Sequence, residues 1–183
     1  MKLVICFLLV CAAAVSYGQQ PAPAPNPSPT PSPLDSLSFM KGDWKGQQKF
    51  NNPSGTPMVG DATDKVDIGI GGRYLCEMLS TTLPGRKPTD SRHFISLDKQ
   101  TGKYAAWWFN DTGTGTRPTE FTGELSENKL VLTSNPSGPG AVLRATYESP
   151  AKNCLTFLLE MKQDENWIKL FLTTYSKADA AQP

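Results

Sequence analysis

The chain has 183 residues, 38% hydrophobic and 19% charged, with a formal net charge of +1. That length allows one domain with appendages. The near-neutral balance lacks the basic excess that phosphate contacts need and the polybasic patch that anionic membranes attract, so neither nucleic acid nor a membrane surface is expected as a partner.

Met1 to Gly18 reads as a secretory signal. Lys2 supplies the charge, Leu3 to Val15 is an apolar run too short to span a bilayer, and Ser16 and Gly18 are small residues at the positions a signal peptidase reads. Cleavage is expected before Gln19, with export to the periplasm or beyond the cell. Lipid anchoring at Cys11 is not expected, because Val10 is bulkier than that signal tolerates. Losing residues 1–18 removes Lys2 and no other charge, leaving 17 basic against 17 acidic side chains. No later apolar run is long enough to span a membrane. Cys76 and Cys154 remain in an oxidising compartment. They read as a possible disulfide or as two small buried thiols.

Residues 19–33 (QQPAPAPNPSPTPSP) are rich in proline. Proline fixes φ and lacks an N–H, so this stretch is expected to be an extended, disordered linker. In 34–40, Leu34, Leu37 and Met40 recur every third residue, which predicts one short helical turn capping the domain. Short strands follow, predicted over 44–50, 60–69, 73–82, 92–98, 103–110, 115–124, 129–134, 141–148, 154–162 and 167–175. Turn signals rich in Gly, Asn, Asp and Pro separate them. Ten strands with no helix between them predict an all-β antiparallel meander, and closing it into a barrel is the simplest way to remove its edges. The barrel domain is placed at 34–177, with a small, polar, disordered tail at 178–183. By alternation, Tyr104, Ala106 and Trp108 share one face. Trp167, Lys169, Phe171, Thr173 and Tyr175 are also expected to share one.

Gly42-Asp43-Trp44-Lys45-Gly46, Ile70-Gly71-Gly72-Arg73-Tyr74-Leu75, Ser96-Leu97-Asp98, Gly102-Lys103-Tyr104, the run Trp107 to Gly115, and Trp167 to Tyr175 occur in that order. Together they resemble the bacterial family called domain of unknown function 1579, over roughly residues 34–177. Members of that family are similar to lipocalin-like (calycin) barrels and, more distantly, to nitrobindin-type haem barrels. The resemblance implies a fold and no established activity. It also implies that Trp44 packs across the closed end of the barrel, as in the lipocalin opening signature.

Candidate sites divide into pocket and core readings. Trp44, Tyr74, Tyr104, Trp108, Tyr147 and Tyr175 could line a cavity for a small apolar or amphipathic molecule, with Arg73, His93 and Arg117, and also Arg92 and Arg144, as polar anchors. The same residues could fill a solid core, and an outer aromatic face would then suit a homodimer. Gly71-Gly72-Arg73 reads as a tight turn before an anion nest. Asp61, Asp64 and Asp67, like Glu120 and Glu124, read as a solvated outer face. His93 is the only histidine. In the haem barrels the ligating histidine lies near the C-terminal end, where this chain has none, so no cofactor is expected, haem included. One histidine with two separated cysteines makes a poor zinc set. No nucleophile elbow occurs, so a catalytic role is the third reading, after a binding module and a structural barrel.

Overall fold

The structure, a computed structural model, describes residues 32–52, 55–111, 117–135 and 141–178. The signal, almost all of the linker and most of the tail lie outside them. Ten antiparallel strands form one closed ring. They are β1 (Gly42–Phe50), β2 (Met58–Gly69), β3 (Tyr74–Thr82), β4 (Thr89–Leu97), β5 (Tyr104–Asn110), β6 (Thr119–Ser126), β7 (Lys129–Ser134), β8 (Leu143–Glu148), β9 (Cys154–Gln163) and β10 (Asn166–Lys177). Each pairs with its neighbour in sequence. The ring closes where β1 meets β10, from Trp44 opposite Lys177 to Phe50 opposite Phe171. All ten predicted strands are present; β6 begins at Thr119, later than expected. Among the described residues no helix is long and apolar enough to cross a membrane.

The strands alternate as a barrel requires. On β2, Ala62, Asp64 and Val66 are buried and their neighbours exposed; on β3, Leu75, Glu77, Leu79 and Thr81 point inward. β10 departs from the expected alternation. Its register against β9 slips between Lys169 and Phe171, a bulge that reverses facing. Phe171, Thr173 and Tyr175 are therefore buried, while Trp167 lies outside against the Arg144 guanidinium, 4.2 Å from the ring centroid.

One end of the barrel is filled. The predicted helical cap is instead a six-residue 3₁₀ turn, Asp35–Met40. Its apolar residues recur every three positions, the period of a 3₁₀ turn and not of an α-helix. Leu34, Leu37 and Met40 are fully buried in the barrel core. The Trp44 indole N–H donates to the Met40 carbonyl at 2.7 Å, and the Ser36 and Tyr104 hydroxyls are 2.7 Å apart. Lys177 Nζ lies 4.2 Å from the Trp44 ring centroid and donates to the Lys41 carbonyl. Trp44 thus covers the closed end, with a lysine over its face.

The disulfide reading of the cysteines fails for a reason of topology, whereas Gly71-Gly72-Arg73 is the tight turn expected. Cys76 and Cys154 are free thiols on β3 and β9, four strands apart around the ring, so no disulfide joins them. Gly71 and Gly72 both have positive φ in a tight turn closed by Gly72 N–H to Gly69 O and Arg73 N–H to Ile70 O, and Arg73 is exposed.

At Gly46 the backbone of β10 passes close to β1. A Cβ there would stand 1.9 Å from the Thr174 carbonyl oxygen, which is ladder backbone and cannot swing aside. Gly46→Ala is expected to destabilise the fold by about 1–3 kcal/mol, the usual range for overpacking. Urea denaturation checks this; an unchanged midpoint would show that the β1–β10 seam is looser than drawn.

Candidate functional site

The barrel interior has three layers. The deepest polar one begins at Glu77. On β3 this carboxyl occupies an inward position between Leu75 and Leu79, and it is 1% exposed. Its direct neighbour on β4 is His93, 3% exposed. Tyr147 reaches it across the lumen from β8. His93 Nδ1 lies 2.6 Å from Glu77 Oε2, the Tyr147 hydroxyl donates to the same oxygen at 2.7 Å, and Nδ1 and the hydroxyl are 2.8 Å apart. Burial holds the imidazole down, to about 3, although the Asp64 charge opposes this. His93 is therefore neutral near pH 7, and its contact with Glu77 is a hydrogen bond and not an ion pair. The partners assign the proton to Nδ1, which leaves Nε2 as an acceptor. That nitrogen borders a space of about 10 Å³ beside Trp108, enough for a water-sized group and no more.

Asp64 completes this layer from β2. Burial and then the Glu77 charge raise it well above the carboxylate range. Burial raises Glu77 to about 7, against the Tyr147 hydrogen bond and the neighbouring Asp64, which lower it. Neither Asp64 oxygen has a hydrogen-bond partner, so burial and the neighbouring Glu77 charge favour Asp64 keeping its proton. Tyr147 and Tyr175 are likewise pushed up by burial and the nearby carboxyl charges, and both remain phenols.

Above this network lies a layer of rings. His93 packs edge-on against Trp108, with centroids 4.3 Å apart. Trp108 tilts against Phe121 and Phe157, each at 5.8 Å. Phe157 stacks on Tyr147 at 4.5 Å and meets Phe171 edge-on at 5.4 Å. These contacts make a septum across the lumen.

The third layer is a cavity of about 400 Å³ at the open end. Leu79, Trp108, Leu143, Leu159 and Phe171 line its apolar depth. Gln48 and Thr81 also face it, but they hydrogen-bond each other at 2.7 Å. The turn after β3 brings Leu83, Arg86 and Lys87 to the rim.

Of the predicted cavity residues, Trp108 alone lines this mouth. His93 and Tyr147 lie beneath the septum, and Trp44, Tyr104 and Tyr175 belong to the packed core. Tyr74 is on the outside against Trp107. Arg73, Arg92 and Arg117 are exposed, and Arg144 pairs outside the barrel with Glu160 at 2.7 Å. Asp64 is a correction. Residues three apart on a strand face opposite ways, so Asp61 and Asp67 are solvated and Asp64 is buried. Glu77 was missed, although a carboxylate on the apolar side of an alternating strand is a readable signal. Among the described residues no group of His, Cys, Asp and Glu side chains is arranged to hold a metal ion.

With this geometry in view, comparison with known proteins decides the family. The description "Protein of unknown function (DUF1579)" matches residues 32–177. The chain belongs to this family. No curated protein matches it significantly. Among solved structures, the DUF1579 barrel is similar to Rv2717c from M. tuberculosis, with a TM-score of 0.62 at 15% identity over 79% of this chain and 96% of that one. It is also similar to the S-type phycobiliprotein lyase CPES from Guillardia theta, with a TM-score of 0.58 at 8% identity over 82% and 94%. At these identities the likeness is one of fold.

The buried network makes stability depend on pH. The native state holds carboxyl protons that the unfolded chain releases above its ordinary values of 3.8 for Asp and 4.5 for Glu. It also refuses a proton that unfolded histidine takes below 6.5. The histidine contribution therefore favours folding as pH rises from about 3 to 6.5, and the carboxyl contributions oppose folding as pH rises. Only the carboxyl contributions act above 6.5. Stability should be greatest in mildly acidic solution and fall through pH 7. Raising Glu77 from 4.5 to about 7 corresponds to a loss of roughly 3 kcal/mol. Glu77→Gln keeps an acceptor for His93 and Tyr147 and should flatten this fall. Thermal melts from pH 4 to 9 check it; an equally steep fall in the variant would remove Glu77 as its cause.

Proposed function

We propose that this DUF1579 protein is an exported binding module, carrying a small apolar or amphipathic molecule in the barrel mouth without a resident cofactor. The observation that carries this reading is the cavity of about 400 Å³ above the aromatic septum, with apolar walls and an opening to solvent. Small-ligand sites are typically concave, mostly apolar and about 300–1,000 Å³, with few polar groups at chosen points. The export expected from residues 1–18 supports this reading, because an exported carrier would meet such molecules outside the cytoplasm.

A second reading, a homodimer, is favoured by the outer face of β3 to β5. Tyr74 packs on Trp107 there and Phe94 on Phe109, while Met78 and Phe109 are 42% and 45% exposed. Apolar surface of this kind commonly marks an interface.

Native mass spectrometry of the mature protein from its exporting host separates the readings. Extra mass that is kept under gentle conditions and lost on denaturation is expected. Thr119→Phe, which narrows the mouth, should abolish that mass and leave the melting temperature nearly unchanged. A bare species at twice the chain mass would favour the dimer.

A further inference from the structure

The charged residues of the mouth all carry one sign. Of the sixteen residues that line it, Arg86 and Lys87 are charged, and both are cations. Carboxylates do occur at this end, at Asp61, Asp90, Asp111, Glu120, Asp164 and Glu165, but none lines the cavity. Among the described residues, neither Arg86 nor Lys87 is in an ion pair.

The backbone that carries the two exposed cations is fixed by a tight turn. They lie in Leu83-Pro84-Gly85-Arg86-Lys87-Pro88, where a proline at each end fixes φ and Gly85 takes φ +72°. The Arg86 N–H donates to the Leu83 carbonyl at 3.0 Å, and the Leu83 side chain lines the apolar wall below. Apolar wall and cationic rim are thus parts of one tight turn.

Depth sets the shape of the occupant. From Leu83 down to Leu79 is four residues of extended chain, roughly 13 Å at the usual rise per residue. Trp108 and Phe171 close the bottom. The apolar end of a ligand loses least by pointing at these rings, and its polar end by staying at the wet rim.

Resting on the binding-module reading above, we infer that the ligand is an anionic single-chain amphiphile, a carboxylate or phosphate monoester, bound with its tail on Trp108 and its head between Arg86 and Lys87. A neutral amphiphile would enter the same cavity without using the rim. A cationic one would be repelled there.

The test uses the mature full chain and titrates dodecanoate, dodecyl phosphate, dodecan-1-ol and dodecyltrimethylammonium by calorimetry. The two anions should bind about three- to tenfold more tightly than the alcohol, an advantage that shrinks with added salt, because exposed charge contacts are individually weak and screened. The tighter of the two assigns the head group. The double variant Arg86→Ala with Lys87→Ala should remove the advantage and leave alcohol binding unchanged. Orientation is read from tryptophan fluorescence. Dodecanoate brominated at its terminal carbon should quench wild type and lose most of that quenching in Trp108→Phe, whereas bromine beside the carboxylate should quench neither strongly. Equal affinity for alcohol and anions, or an unaltered advantage in the double variant, overturns the inference and leaves the pocket reading intact. Binding by none of the four, together with a bare native mass, overturns both.

Discussion

One carboxylate oxygen organises the interior of this barrel. Glu77 Oε2 accepts from His93 on the adjacent strand and from Tyr147 across the lumen, so a single atom ties β3 to β4 and β8. An unpaired carboxylate at 1% exposure would be severely destabilising. The network is tolerable because the neutral donors His93 and Tyr147 meet it. That requirement fixes the side chains above it. His93 must present its Nδ1 edge to Glu77, which turns its other edge to Trp108 and helps set the plane on which the septum is built.

Much of the architecture was legible from the sequence because strands repeat every two residues and turns have their own chemistry. Ten strands follow from Gly, Asn and Pro punctuation and from alternation, while the covering of the closed end by Trp44 was implied by the family resemblance. The places where reading failed are those where the period was applied at the wrong spacing or interrupted. Leu34, Leu37 and Met40 repeat at three, which belongs to a 3₁₀ turn. Asp61, Asp64 and Asp67 also repeat at three, and on a strand that spacing sends the middle one inside. In β10 the slip between Lys169 and Phe171 reverses facing, and no local residue type announces it.

The site was less legible than the fold, for a different reason. Aromatic residues fill a core and line a pocket with equal chemical ease, and composition cannot say at which height along a barrel the packing stops. Here it stops at Trp108, the one expected lining residue that meets the mouth. The rest of the lining includes Phe50 and Phe171, aliphatic residues such as Leu79, Leu143 and Leu159, short polar residues, and Arg86 and Lys87 on a turn. The cysteines make the same point. Both sit in outward, half-buried strand positions, and only the order of strands around the ring shows that they are too far apart to bond.

The septum has a kinetic consequence. With one end sealed by the 3₁₀ turn and Trp44, and the lumen crossed by Trp108, Phe121, Phe157 and Phe171, the molecule is a cup and not a tube. Whatever enters must leave by the same door; in the orientation inferred above, tail first in and head first out. Residence time is then governed by the loops around one rim, and a passenger can be handed over only to an acceptor that approaches from that side.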